Sequence, residues 1–150
     1  YMIRKFLFLT LTFLLFSSCG YSPIYSSNNL NFSINNIEKE NNLLNNRFAE
    51  MIKGIGDENS SNRINIIIES EKKVEIKSKD TKGNPLIYEL KIILKIKIMD
   101  PSNQKEKEFV EDTSFNNSDD KFELSNYQKE LEETLIRKLV ERTIVYLSSL

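Results

Sequence analysis

Histidine and tryptophan are absent from this 150-residue chain, and cysteine occurs once. Without histidine there is no imidazole general base, no Ser-His-Asp or Cys-His triad, and almost none of the usual zinc ligand sets. One cysteine excludes an internal disulfide. Glycine is scarce as well, at four residues, and Gly54-Ile55-Gly56 follows a helical pattern, whereas a phosphate loop precedes one. Charge of one sign is also missing: 21 Lys and Arg face 22 Asp and Glu, so no positive field directs the chain to nucleic acid. What remains, 39% apolar and 29% charged residues, suffices for one soluble domain with a core and not for a second.

A long hydrophobic run is lacking too. Phe6 to Phe16 is eleven residues, well short of the roughly 20 that cross a bilayer as a helix. Arg4 and Lys5 precede that run and Ser17 and Ser18 follow it, which is the order of an export signal over residues 1–18. Leu15-Phe16-Ser17-Ser18-Cys19 resembles the bacterial lipobox, with Phe16 where leucine is usual. That resemblance implies a diacylglycerol thioether and an N-acyl chain on Cys19. The alternative is a soluble exported protein with an unpaired thiol, a liability in an oxidising compartment. Several acyl chains anchor stably where one does not. Gly20, in place of the aspartate that resembles an inner-membrane retention signal, favours the outer membrane. Removing Arg4 and Lys5 with the signal leaves 19 basic against 22 acidic residues.

Residues 19–36 read as a lipidated N-terminus and polar tether with one short strand on Leu30, Phe32 and Ile34. From Ile37 the spacing of Leu44, Phe48, Met51, Ile52 and Ile55 predicts an amphipathic helix stopped by Gly54 and Gly56. The asparagine doublets within it read as compositional drift. Ile64, Ile66 and Ile68 share parity with Val74 and Ile76, predicting one long bent strand or two short ones with a single apolar face. After a turn at residues 80–85, Tyr88, Leu90, Ile92, Leu94, Ile96 and Ile98 alternate with Glu89, Lys91, Lys95 and Lys97, a half-buried strand. A turn at 100–103 leads to a strand with Phe109, Val110, Thr113 and Phe115. Ser125 with Gln128 forms a capping box for a last helix reaching about Leu147, its stripe including Tyr127, Leu131, Leu135, Leu139 and Ile144. Burial of these faces requires an α+β, two-layer sandwich, with two amphipathic helices on one face of a roughly four-stranded mixed or antiparallel sheet over residues 37–150.

The lipobox Cys19-Gly20-Tyr21, the Tyr88-Glu89-Leu90 strand, the strand ending Thr113-Ser114-Phe115-Asn116-Asn117 and the helix carrying Thr134-Leu135-Ile136-Arg137-Lys138-Leu139 together resemble the LPS-assembly lipoprotein family LptE. The resemblance follows element order along the whole mature chain. It implies a non-enzymatic outer-membrane lipoprotein that plugs a large β-barrel of the LptD type, helps it assemble and contacts lipopolysaccharide. It implies no cofactor beyond the covalent lipid. A different adaptor lipoprotein, serving barrel insertion or an export complex without lipopolysaccharide binding, is the alternative.

Candidate contacts to lipopolysaccharide are Lys77, Lys79 and Lys82 on the hairpin before the long strand, and Lys121 before the last helix, since ammonium groups attract phosphates and carboxylates. Lysines at a turn also simply solvate it. Lys91, Lys95 and Lys97 read as the polar outer face of the strand, and Asp119-Asp120 and Glu132-Glu133 as solvated charge, with no nucleophile and base beside them. No catalytic residue and no metal site is expected.

Overall fold

Leu90, Ile92, Leu94, Ile96 and Ile98 are all buried, while the residues between them stay half-exposed; this alternation builds the centre of the molecule. The computed structural model describes residues 32–56, 60–99 and 104–150. The expected signal at 1–18, the tether up to residue 31 with Cys19 and Leu30, and the turn at 100–103 lie outside the described residues. The elements are β1 Ser33–Lys39, α1 Leu43–Ile52, β2 Arg63–Lys79, β3 Pro85–Met99, β4 Lys105–Asn116 and α2 Lys121–Ser148.

The sheet order is β1-β2-β3-β4. β1 runs parallel to β2, joined to it through α1, and β2, β3 and β4 are antiparallel neighbours. Register brings apolar residues together on one face: Ile66 lies opposite both Ile37 and Ile98, Leu94 opposite Phe109, and Tyr88 opposite Phe115. Both helices cover that face, α1 over β1 and β2, α2 over β3 and β4. Phe48 and Ile52 of α1 and Leu135, Leu139 and Leu147 of α2 close the core. The expected α+β two-layer arrangement on a four-stranded mixed sheet is what the chain adopts. The other face is a field of compensated charge, with Lys97 paired to Glu69, Lys95 to Glu106 and Glu108, and Lys77 and Lys91 to Glu89.

Several element boundaries differ from expectation. Ile37 belongs to β1, and α1 begins only at Leu43, so the first strand crosses the expected 36/37 boundary. A bulge between Ile34 and Asn36 is the reason: the extra residue puts Ile34 and Ile37 on the same face, and a spacing of three imitates a helix. The asparagines are also structural. Asn42 caps α1 by accepting from the Asn45 amide at 2.7 Å. Buried Asn45 accepts from the Ser70 hydroxyl at 2.5 Å and donates to the Glu40 carbonyl at 3.2 Å. The last helix starts at Lys121, not after Ser125, because Asp120 accepts from the Phe122 and Glu123 amides at 2.9 and 3.0 Å; an aspartate cap five residues upstream satisfies the orphan donors first. Tyr127, placed in the buried stripe by spacing, is instead exposed.

The single long strand is the alternative adopted for residues 63–79. Its second half departs from the expected burial. Val74 and Ile76 keep the register of the core face, opposite Leu90 and Tyr88, yet both are exposed, because α1 covers only the first half of β2.

Candidate functional site

The β2–β3 hairpin ends in a tight, internally bonded tip. The Asp80 carboxylate accepts from the Lys82 and Asn84 amides, each at 2.8 Å, and from the Asn84 side-chain amide at 2.9 Å, while Gly83 takes φ +88°. The Asn84 side chain, followed by its backbone amide, holds the Asp80 carboxyl below the usual carboxylate range. Lys79 and Lys82 project from this frame as exposed ammonium groups, without an ion pair among the described residues.

Lys77 is placed differently. Its Nζ donates to Glu89 Oε1 at 2.9 Å and to the Ser114 hydroxyl at 3.0 Å, across β3 and β4 on the outer sheet face. The hydrogen bond between them raises the Lys77 pKa and lowers that of Glu89. Its charge is therefore already compensated within the sheet.

Lys121, expected in a loop, is the first residue of α2. A cation is unfavourable at a helix N-terminus, and its Nζ turns back to the Ser118 carbonyl at 2.8 Å and to Asn117 Oδ1 at 3.1 Å. Asn117 in turn donates to the Pro85 and Leu86 carbonyls, so the end of β4 and the start of α2 sit against the base of the hairpin. All four lysines thus occupy one pole of the molecule, and among the described residues three of them, Lys79, Lys82 and Lys121, have no carboxylate partner. The same pole exposes apolar side chains that charge-based reasoning passed over: Ile76 at 47%, Leu86 at 50% and Phe122 at 77%. Ile76 was visible in the strand alternation; Phe122 lies beside Lys121 in a segment expected to precede the last helix.

The opposite pole receives the N-terminal side of the domain. Ser33 pairs with Arg63, the first residue of β2, and β2 runs 17 residues to the hairpin, roughly 55 Å at strand rise. Among the described residues no group of His, Cys, Asp and Glu is arranged to hold a metal.

Comparison with protein-family models and with curated proteins gives no match. Solved structures do match. Rare lipoprotein B from Shewanella oneidensis superposes with a TM-score of 0.57 at 12% identity, over 77% of this chain and 95% of that one. The chain has the rare lipoprotein B fold. An uncharacterised lipoprotein B from Nitrosomonas europaea gives a TM-score of 0.59 at 14% identity, over 87% and 92% of the two chains. A minor lipoprotein from Acinetobacter baumannii gives 0.55 at 12%, over 77% and 91%. The rare lipoprotein B fold thus extends over nearly the whole of each of these proteins and over most of this chain.

Proposed function

We propose that the chain is an outer-membrane lipoprotein of the lipopolysaccharide transport machinery, lipidated on Cys19, which plugs and helps assemble a β-barrel of the LptD type and contacts lipopolysaccharide at its hairpin pole. It acts by binding, not catalysis. The observation that supports this most directly is the meeting of Lys79, Lys82 and Lys121 with bare Ile76, Leu86 and Phe122 at one end. Ammonium groups suit the phosphates of an anionic amphiphile, and the apolar side chains suit its acyl part. The pole lies opposite the end at which the N-terminal tether joins the sheet, so an anchored protein would present the hairpin away from its own lipid. The self-neutralised outer sheet face suits a hydrated barrel lumen.

The test is the mature chain with Lys79→Gln, Lys82→Gln and Lys121→Gln together. Lipopolysaccharide binding should weaken about tenfold or more and wild-type binding should fall with salt, while co-purification with the barrel persists. Normal lipopolysaccharide binding by the triple variant, together with loss of the barrel, would make the pole a protein contact and turn the reading toward an adaptor lipoprotein without lipopolysaccharide binding.

A further inference from the structure

The sheet ends in β1, and from Ile34 to Lys39 its outer edge has no main-chain partner among the described residues. At the start of that edge, the turn after α1 lays Gly56 against Ser33 as an antiparallel bridge. The edge therefore already accepts strand-like pairing, and only its first residue is taken. Beside the open stretch runs a groove of about 420 Å³ between β1 and α1. Its base is apolar, formed by Ile34, Ile37 and Ala49, which pack on the core; Asn36, Asn46 and Lys53 stand around it. Of the usual guards of a sheet edge, this strand carries the bulge between Ile34 and Asn36 and the charge of Glu38. The strand has no proline, and its one lysine, Lys39, is at the far end and donates to Asn46.

We propose that the β1 edge from Ile34 to Lys39 receives an extended segment of a partner polypeptide, which adds as a fifth strand and seats a branched apolar side chain on Ile34, Ile37 and Ala49. In this mode main-chain hydrogen bonds supply affinity and alternate side chains supply selectivity. A second copy of this chain fits less well. Gly56 closes the Ser33 end in each copy, so the longest antiparallel self-pairing matches 34–39 with 39–34 and sets Ile34 opposite Lys39. A charge opposite an isoleucine forfeits the cross-strand packing that a foreign strand supplies. The inference rests on the sheet edge alone and is independent of the hairpin pole.

The test selects a displayed library of random dodecapeptides on the immobilised mature chain. Recovered peptides should alternate branched apolar and polar residues and, when bound, slow amide exchange over residues 34–39 by about tenfold or more. Their affinity should fall at least about tenfold when alternate peptide nitrogens are methylated, and likewise against Glu50→Trp, a substitution at an exposed groove-lining position of α1 whose fold is checked by circular dichroism. Methylated peptides binding as well as their parents would overturn the proposal, leaving a pocket for a side chain only. So would protection of other amides, failure to recover any peptide sensitive to Glu50→Trp, or a doubled mass in peptide-free solution that Glu50→Trp abolishes.

Discussion

Arg47 of α1 donates from Nη1 to Glu132 Oε1 of α2 at 3.2 Å, across 85 positions of sequence. The second carboxylate oxygen of Glu132 receives Lys72 of β2 at 2.9 Å, and Arg47 Nη2 reaches Glu133 at 3.2 Å. One buried carboxylate thus ties both helices to the sheet, where spacing along α2 had suggested solvated charge. Glu132 is 8% exposed, whereas the side chains of Arg47 and Lys72 keep 36% and 40% of their surface.

That asymmetry fixes the order of two substitutions. Glu132→Leu frees two cations that turn to water and fills the site with apolar volume, so it should stay within about 1 kcal/mol of the parent. Arg47→Met with Lys72→Met leaves the buried carboxylate uncompensated and should cost about 3–5 kcal/mol. Urea unfolding of the two variants measures this directly; the reverse order would mean that Glu132 is hydrated in solution.

Two glycines of the same turn should respond unequally. A Cβ on Gly56, at φ +117°, would lie 2.4 Å from the Phe32 carbonyl oxygen, which is backbone and buried beside the core. Gly54 has φ +83° and nothing within 4 Å. Gly54→Ala should therefore cost only the left-handed backbone term, about 1 kcal/mol, while Gly56→Ala adds a steric shift of β1 and should cost about 2–3 kcal/mol or more. Thermal unfolding midpoints that coincide would refute the close approach of residue 56 to β1.

Much of this architecture was legible in the sequence, and the exceptions share causes. β3 declared itself because its alternation is long and its opposite face carries ions. The bulge at Ile34 hid the second half of β1 by giving Ile34 and Ile37 helical spacing. Asn45 concealed its role because its buried amide depends on Ser70, far along the chain, and Asn42 because β1 continues through Ile37 and moves the helix start to Leu43. Glu132 sits on α2 among charged residues, and only the docking of α1 makes it interior. At the candidate site the lysines were read from their turn, whereas the apolar half of the pole depends on where the helices stop covering the sheet.

Three carboxylates give the stability a defined acid limb. Glu69 is held low chiefly by its hydrogen bond from Lys97, Asp80 by Asn84, and Glu89 by Lys77. A carboxylate whose folded pKa lies below its unfolded value stabilises fully above the unfolded value and loses that contribution as pH falls through the folded one. Lys77 and Lys97 are raised, so their contribution holds below the unfolded lysine pKa and fades as pH climbs past it. Stability should thus be flat through neutrality and fall at both extremes. Lys77→Met should move the Glu89 titration, followed by carboxyl carbon NMR, up toward the ordinary range and leave Glu69 in place. Movement of both would mean that the outer face titrates as one network, not as separate pairs.

Membrane attachment should depend on Cys19. Among the described residues no helix is long and apolar enough to cross a bilayer, the apolar run at residues 6–16 is too short to do so, and the exposed apolar side chains at the hairpin pole are few. Two or more acyl chains on one cysteine are sufficient for stable anchoring. Cys19→Ala should therefore abolish labelling by a lipid precursor and shift the protein from the membrane fraction to the soluble periplasm. The fractionation has to be done in cells lacking the proposed partner barrel, because contacts inside its lumen, if the chain plugs it, would retain the unlipidated protein and mimic an anchor. If Cys19→Ala stays with membranes in that background through an alkaline wash, the attachment resides in the folded domain, and the pole carrying Phe122, Leu86 and Ile76 becomes the surface to substitute next.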